Sequence, residues 1–357
     1  MNRARLKIVM IVLVPITMIL NIISRRFPAF VEKYYSTSTN KVIIQILSSI
    51  ASIFPTSLAE FLVPLLFLVL IASIVFLLFR IKKKNFKSIL FSILAYVSSL
   101  YILFIVFWGF NYNRLSFDKI SGLNIEKSSK QELYELCDSL IQRANDLRSK
   151  VKEDEKGIMA IQGGYKDVFK RAQKGYDEAS KKYPELGGKY GIPKRILLSE
   201  KMSYTGITGI YIPYTGEANV NINTTDFMLP ATTVHEMAHQ RGFAREDEAN
   251  YIAYLACSAH PDYDFQYSGV MLGVIYSMNA LAGSDKDLHK ELTKKYSDEV
   301  RKDLIYDAEF WDKYKGKVEE ISNNVNNAYL KSNGQQDGVK SYGRMVDLLL
   351  AEYKAQK

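Results

Sequence analysis

Cysteine and histidine are scarce in this chain of 357 residues, which has two cysteines and four histidines. Two cysteines cannot form the disulfide framework that stabilises many small secreted domains. Cys137 and Cys257 could make one bridge, but we expect two small buried side chains, which is common for cysteine. Internal repeats and low-complexity tracts are also missing, which argues against a repeat architecture.

Acidic residues are nearly missing from the first 110 residues, where only Glu32 and Glu60 oppose twelve lysines and arginines. This segment carries a net charge of +10, so the remainder of the chain carries −1 of the total of +9. A strongly basic protein can be a nucleic-acid binder. Here the basic excess belongs to loops that flank apolar stretches, and we therefore exclude nucleic acid as a partner.

Three long, strongly apolar stretches take up most of the same segment, at about 8–23, 58–79 and 88–110, and Glu60 is the one charged residue within them. The second and third are long enough to cross a bilayer as helices. The first is shorter, and Arg3, Arg5 and Lys7 precede it as in a signal peptide. Because no small-residue cleavage site follows, we expect a retained anchor. The sequence therefore predicts three transmembrane helices within residues 1–110, with the lipid bilayer as a partner.

Basic residues also indicate how this anchor is oriented. One basic cluster precedes the first stretch, and a second cluster separates the second stretch from the third: Arg80, Lys82, Lys83, Lys84 and Lys87. Because positively charged loops tend to stay in the cytoplasm, both clusters should face it. The sequence therefore predicts a multi-pass protein of the cell membrane, with residues 24–57 and 111–357 outside the cytoplasm.

Polar sequence begins after Phe110, and we expect a single extracytoplasmic domain over residues 111–357. Apolar residues recur at helical spacing over 129–151, and glycines separate β-branched and aromatic residues over 203–223, as in a hairpin or meander. The uncharged run 265–283 predicts a buried core helix and not a fourth span, because it contains serines, an asparagine and glycines. The predicted fold class is α+β, mainly α, with a small β-sheet.

One short HExxH motif, residues 235–239, carries the chemistry of this domain. Positions i and i+4 lie on one face of a helix, so His235 and His239 can bind the same metal ion. Pro230 suits the first turn of such a helix. Zn²⁺ held by two histidines and a carboxylate keeps a fourth position open for water, and Glu236 can act on that water as general base.

A third protein ligand must come from outside the motif. Gly242 suits a left-handed helix end, after which a second helix should begin at Glu246. Glu246 heads a stripe of small or short side chains that allow a close approach to the HExxH helix: Ala249, Asn250, Ala253 and Ala256. Glu246 is therefore the expected third metal ligand. Glu248 lies on a bulkier stripe and is the alternative.

These elements resemble the gluzincin class of zinc metallopeptidases, which combines HExxH with a later Glu-x-x-Ala-Asp/Asn, here residues 246–250. The gap between His239 and Glu246 is shorter than in that class. The chain is also similar to an uncharacterised bacterial family of membrane-anchored HExxH proteins in three segments: 216–221, 235–250 and 327–339. The resemblance implies a zincin-like domain that hydrolyses peptide bonds with Zn²⁺ as cofactor. Its location outside the membrane favours peptide or protein substrates at the cell surface.

In peptidases that the chain resembles, an edge strand upstream of the metal helix pairs with the substrate backbone. The corresponding segment makes Ala218, Asn219 and Val220 the expected substrate-binding residues. The reaction also needs a donor for the oxyanion, and we cannot rank four candidates near the motif: Tyr211, Tyr214, Arg241 and His260. The main alternative function is a non-enzymatic membrane sensor or scaffold with a structural zinc site. A zinc hydrolase of cell-wall amides is a third.

Overall fold

The computed structural model describes residues 3–82 and 84–357, and these residues are mainly helical. Three helices are long and apolar enough to cross a membrane, and we call them the candidate spans: α1 (Arg3–Ser24), α4 (Ala59–Phe79) and α5 (Phe86–Phe107). They coincide with the three predicted stretches, and α1 continues through Pro15. Lys83, part of the predicted basic loop, lies outside the described residues.

The end of α1 and the start of α4 both contact the remainder of the protein. Near the end of α1, Nδ2 of Asn113 donates to Oδ1 of Asn21 at 2.7 Å. At the start of α4, the carboxylate of Glu217 accepts hydrogen bonds from the backbone N–H groups of Leu58 and Ala59, both at 2.9 Å. This carboxylate satisfies two N–H groups that have no partner within the helix. The two basic clusters lie at the opposite ends of these helices.

The segment between α1 and α4 folds against the residues that follow α5. It consists of α2 (Pro28–Val31), a π-helical stretch (Glu32–Thr39) and α3 (Asn40–Ala51). Arg114 donates to both carboxylate oxygens of Glu32, at 2.6 and 2.8 Å, and both residues are buried. Ile44 of α3 is buried in a small cluster with Trp108 and Tyr211. Residues 28–51 therefore pack into the same body as the residues after 111.

Twelve further helices form this body: α6 (Phe117–Ser121), α7 (Lys130–Arg148), α8 (Gly164–Arg171), α9 (Gln173–Ala179), α10 (Ser199–Ser203), α11 (Leu229–Gln240), α12 (Glu246–Ala259), α13 (Tyr263–Ser284), α14 (Lys286–Leu292), α15 (Asp298–Asp312), α16 (Lys317–Ser332) and α17 (Met345–Ala355). Short 3-10 helices join some of them: Gly109–Asn113, Pro184–Leu186, Thr293–Lys295 and Gly338–Arg344. The largest core cluster lies among α7, α11, α12, α13 and α17.

The two longest helices of the core follow from local sequence. Ser129 caps α7 with a capping box, in which its hydroxyl accepts from Glu132 N while the Glu132 carboxylate accepts from Ser129 N. Helix α13 covers the uncharged run 265–283 and is largely buried, with Val270 and Met271 fully enclosed. A lipid-facing helix would leave such side chains at the surface, so the prediction of a core helix is confirmed.

One small sheet lies beside α11, with the strand order β1-β3-β2: β1 (Lys194–Arg195), β2 (Gly209–Ile212) and β3 (Glu217–Val220). Strands β2 and β3 are antiparallel and form the predicted hairpin, whereas β1 pairs with β3 in parallel. All four residues of β3 are buried. The prediction that an exposed edge strand runs through 216–221 is wrong, because β3 has a neighbour on each side. Within the described sheet, β2 carries the free edge beside α11.

Candidate metal centre

Helix α11 brings His235 and His239 to one face. The residues are one turn apart, and their ring centroids lie 4.8 Å from each other with the ring planes nearly perpendicular. Pro230 lies in the first turn, where its missing N–H costs no helical hydrogen bond. The helix is buried on nearly all sides, although it contains several polar residues. This burial encloses the imidazole of His239, whereas that of His235 remains partly exposed.

A tight reversal at Gly242 joins α11 to α12. Gly242 has φ of +79°, which favours glycine, and an added Cβ would lie 2.9 Å from Oδ1 of Asn111. The backbone N–H of Phe243 then donates to the carbonyl of Ala238, at 3.2 Å. This turn returns the chain toward the HExxH helix, so that α12 begins at Glu246, as the sequence predicts.

Glu246 reaches both histidines from the start of α12. Its Oε2 atom lies 3.2 Å from Nε2 of His235 and 3.4 Å from Nε2 of His239. The ligand atoms of these three residues all lie within 4.8 Å of one another. The stripe that allows this approach is buried, as expected: Ala249, Asn250, Ala253 and Ala256. Two imidazoles and a carboxylate that converge in this way could hold one divalent metal ion.

Glu248, the alternative third ligand, points elsewhere. Its Oε1 atom accepts hydrogen bonds from the backbone N–H of Phe117 at 3.0 Å and from Nη1 of Arg245 at 2.7 Å. Glu248 therefore anchors α6 and the turn before α12. The structure brings Glu246, and not Glu248, to the histidines.

The charges of the cluster favour a cation at its centre. Burial favours the uncharged form of each group. Burial alone would lower the pKa of the His239 ring, but the nearby Glu246 carboxylate raises it. Burial alone would raise the pKa of the Glu246 carboxyl, but the nearby His239 and His235 lower this pKa to about 2. In addition, Nδ1 of His239 lies 2.7 Å from the carbonyl oxygen of Phe243, a contact that turns Nε2 toward Glu246.

Glu236 lies beside the three ligands and is only 4% exposed. Its Oε2 atom has no hydrogen-bond partner among the described residues. Burial raises the pKa of this carboxyl to about 7. Gly209 of β2 packs directly against it, and an added Cβ there would lie 2.6 Å from Cγ of Glu236. A buried carboxyl oxygen without a partner is costly, and its position next to a cluster that could hold a metal ion is typical of a functional site.

The part of the chain that contains this cluster matches one known family. A family model described as "Protein of unknown function (DUF3810)" matches residues 35–350. The chain belongs to the DUF3810 family. No curated protein matches the chain, and no solved structure matches it. The match extends from the π-helical stretch before α3 to α17, so segment 35–51 and the metal cluster lie within one family unit.

The residues predicted to bind substrate lie in the central strand of this DUF3810 chain. Ala218 pairs with Tyr211 of β2, Asn219 pairs with both Ile210 and Lys194, and their backbone hydrogen bonds serve the sheet. A peptide cannot add to such a strand. Strand β2 is one of the two edge strands of the described sheet; its Ile210 is exposed and its Gly209 contacts Glu236.

Three of the four candidate oxyanion donors are engaged elsewhere. The hydroxyl of Tyr214 donates to the carbonyl of Leu100 in α5 at 3.0 Å, and the guanidinium of Arg241 donates to the carbonyls of Leu186 and Met237. His260 stacks on Phe265, with 3.9 Å between ring centroids, far along α12 from Glu246. Only Tyr211 lies near the cluster, with its ring 6.3 Å from that of His239.

Aromatic residues from distant segments surround Glu246, and the motif gave no reason to select them. The Glu246 carboxylate contributes to raised pKa values at three tyrosines: Tyr112, Tyr329 and Tyr342. Burial is the larger cause in each. At Tyr342 the Glu236 carboxylate contributes as well, so this phenol is near both acids. Segment 327–339 was singled out by resemblance alone, and it supplies Tyr329 together with Gln335, whose side-chain oxygen accepts from Glu246 N at 3.3 Å.

Proposed function

We propose that this protein is a membrane-anchored, zinc-dependent peptidase of gluzincin type. One observation supports the proposal: three converging ligand atoms from His235, His239 and Glu246 lie beside the buried carboxyl of Glu236, whose Oε2 atom has no hydrogen-bond partner among the described residues. A structural zinc site has no need of an additional acid, and it usually fills its fourth position with a protein ligand. Among the described residues, three candidate ligand atoms converge, so a four-coordinate ion held by them would have its fourth position free for water.

The donor set fits Zn²⁺, since two imidazole nitrogens and one carboxylate oxygen form a known catalytic set for this ion. His235, His239 and Glu246 would hold it. When bound, Zn²⁺ supplies a Lewis acid that activates water for attack on a carbonyl carbon. Phe243 contributes through its carbonyl oxygen, which holds Nδ1 of His239 so that Nε2 faces the ion.

Glu236 moves the proton in this reaction. Its carboxylate takes a proton from the attacking water and later donates it to the nitrogen of the leaving amine, so the carboxylate is regenerated. Burial of this carboxyl raises its pKa, which favours retention of the proton between the two steps. Gly209 gives this side chain the space to do so.

The substrate is an extended peptide that adds to β2. This strand has a free edge, its exposed Ile210 offers an apolar contact, and its first residue touches Glu236. The domain faces the outside of the cell membrane, because it packs on the ends of the candidate spans that lie opposite both basic clusters. Proteins and peptides at the cell surface are therefore the class of substrate.

The experiment compares the full-length protein with its Glu236→Gln variant, both purified in detergent with added Zn²⁺. We expect wild type to contain one zinc per chain and to cleave a mixture of fluorogenic extended peptides, whereas Glu236→Gln retains the zinc but loses the cleavage. Glu248→Gln is the matched control and should retain both. Zinc without cleavage in wild type would favour a structural site in a sensor or scaffold. Absence of zinc would end the proposal.

A further inference from the structure

Helix α16 (Lys317–Ser332) carries an exposed apolar stripe. Four of its residues follow one another at intervals of three or four and therefore share one face: Val318, Ile321, Val325 and Tyr329. The side chains are 54%, 63%, 65% and 38% exposed, respectively. Single apolar residues are common at protein surfaces, whereas a continuous row along a helix indicates an interaction surface.

The opposite face of α16 already has a partner within the chain. Nδ2 of Asn326 donates to the hydroxyl of Tyr342 at 3.4 Å, and Oδ1 of Asn327 accepts from the backbone N–H of Val339 at 3.3 Å. Leu330 is fully buried on this side. The helix is therefore attached to the body through its polar face and Leu330, and its apolar stripe points away from that attachment.

The stripe ends at a candidate span. Tyr329, its last residue, packs against Phe104 of α5, with 6.5 Å between ring centroids. The Tyr329 hydroxyl also lies 3.1 Å from Nε1 of Trp108, the residue that directly follows α5. Leu103, on the same part of α5, is exposed. The apolar stripe is therefore continuous with the apolar surface of α5, at the level where tyrosine and tryptophan mark the membrane–water interface.

Length and composition both exclude a transmembrane position for α16. Its 16 residues are fewer than the roughly 20 that a transmembrane helix requires. Its other face carries acids and asparagines, which a bilayer interior does not accept. An amphipathic helix of this kind lies in the plane of the interface, with its apolar face among the upper acyl chains.

We infer that α16 lies on the membrane surface and that phospholipid acyl chains cover its stripe of Val318, Ile321, Val325 and Tyr329. This inference rests on the candidate spans and does not depend on the metal centre. It gives the protein a lipid contact beyond its spans. Because the polar face of α16 holds Tyr342, and Gln335 contacts Glu246 N, this lipid contact also connects to the candidate metal centre.

The test measures the surroundings of single nitroxide labels in the full-length protein, reconstituted in nanodiscs of phosphatidylcholine and phosphatidylglycerol. The labels are attached at Val325→Cys and Ile321→Cys on the stripe. Asn324→Cys, an exposed position on the polar side of the same helix, is the matched control. The native Cys137 and Cys257 are buried and should not react. Collision rates with oxygen, which concentrates in lipid, are compared with those of a water-soluble nickel chelate.

We expect the ratio of oxygen to nickel collisions to be severalfold higher at 321 and 325 than at 324. Two independent stripe positions guard against a local defect caused by either substitution. Equal ratios at all three positions would show a water-facing stripe and would overturn the inference. Labels at 321 and 325 that are immobilised and shielded from both reagents would show a covering protein segment, which would also overturn it.

Discussion

The indole ring of Trp108 meets the imidazole ring of His239 edge-on, with 5.5 Å between their centroids. Trp108 follows the last residue of candidate span α5, and His239 is one of the two histidines of the HExxH motif. The candidate metal centre thus lies directly at the end of a span, and no linker separates the two. Tyr214 strengthens this relation, because its hydroxyl donates to the carbonyl of Leu100 within α5.

Removal of the Glu246 carboxylate should abolish tight zinc binding. Replacement of residues that merely support a metal ligand typically lowers metal affinity by about 10–100-fold, and loss of a direct ligand should exceed the upper value. We expect Glu246→Gln to lower zinc affinity by more than about 100-fold, measured by competition with a fluorescent chelator. Glu248→Gln serves as the control and should bind zinc as wild type does. Equal affinities in the two variants would contradict the assignment of Glu246.

A methyl group at Gly209 should displace Glu236. The added Cβ would lie 2.6 Å from Cγ of Glu236, so Gly209→Ala must shift that carboxyl or the strand, at a cost of about 1–3 kcal/mol of stability. We expect peptide hydrolysis to fall while zinc content remains that of wild type. Gly283→Ala is the control, because a Cβ there meets no described atom within 4 Å. Full turnover by Gly209→Ala would contradict the dependence of hydrolysis on the position of the Glu236 carboxyl.

The buried pair Arg114–Glu32 should contribute strongly to stability. Glu32→Ala leaves a buried guanidinium without its partner, and such a change typically costs about 3–5 kcal/mol. Chemical unfolding of the full-length protein in detergent, followed by near-ultraviolet circular dichroism, measures the loss. Asp312→Ala removes an exposed pair with Lys315 and should change little. For the same reason, a fragment of residues 111–357 should fold poorly, since it lacks Glu32 and α3.

The two cysteines should be inert in the native protein. Both are free and buried, and burial raises the pKa of Cys137 to about 12 and that of Cys257 further. Because the thiolate is the reactive form, alkylation of native protein at pH 8 should be negligible and should become rapid only on unfolding. Rapid labelling of the native protein, followed by mass spectrometry, would contradict this burial.

The same thiols report the side of the membrane on which the domain lies. In intact cells under mild denaturation, a membrane-impermeant maleimide should label Cys137 and Cys257 if the domain is outside the cytoplasm. Lys82→Cys, in the basic loop between α4 and α5, is the control and should react only after the cells are permeabilised. The reverse pattern of labelling would place the domain in the cytoplasm.

The cluster of His235, His239 and Glu246 could be predicted from the sequence because it depends on residues that are close together along the chain. The spacing of His235 and His239 fixes their common face on any helix, and Gly242 together with the short side chains after Glu246 determines where α12 begins and how closely it packs. All of these residues lie in one short segment of the chain, which reverses direction at Gly242. The candidate spans could also be predicted from the sequence, because an apolar stretch of sufficient length with few charges defines a candidate span by itself.

Other parts of the site depend on distant pairings, which periodicity does not encode. The short strand β1 turns β3 into a central strand, and nothing in residues 216–221 indicates that partner. Similarly, Trp108 and Tyr342 approach the cluster from positions more than a hundred residues apart along the chain. Helical periodicity after Lys41 predicts helix α3, at the membrane interface or against the spans. It does not indicate that Ile44 contacts Trp108 and Tyr211, or that Glu32 pairs with Arg114.

The carboxylate of Glu217 connects the sheet to the start of α4 through two hydrogen bonds, to Leu58 N and Ala59 N. Bonds to a charged acceptor are each worth about 1.5–3 kcal/mol, so separation of the strand from the helix would be expensive. Strand β3 must therefore follow any tilt of α4, and β2 follows β3. A bilayer that changes in thickness changes the tilt of a helix embedded in it. We therefore expect the position of Gly209 against Glu236 to respond to the thickness of the bilayer that surrounds α4.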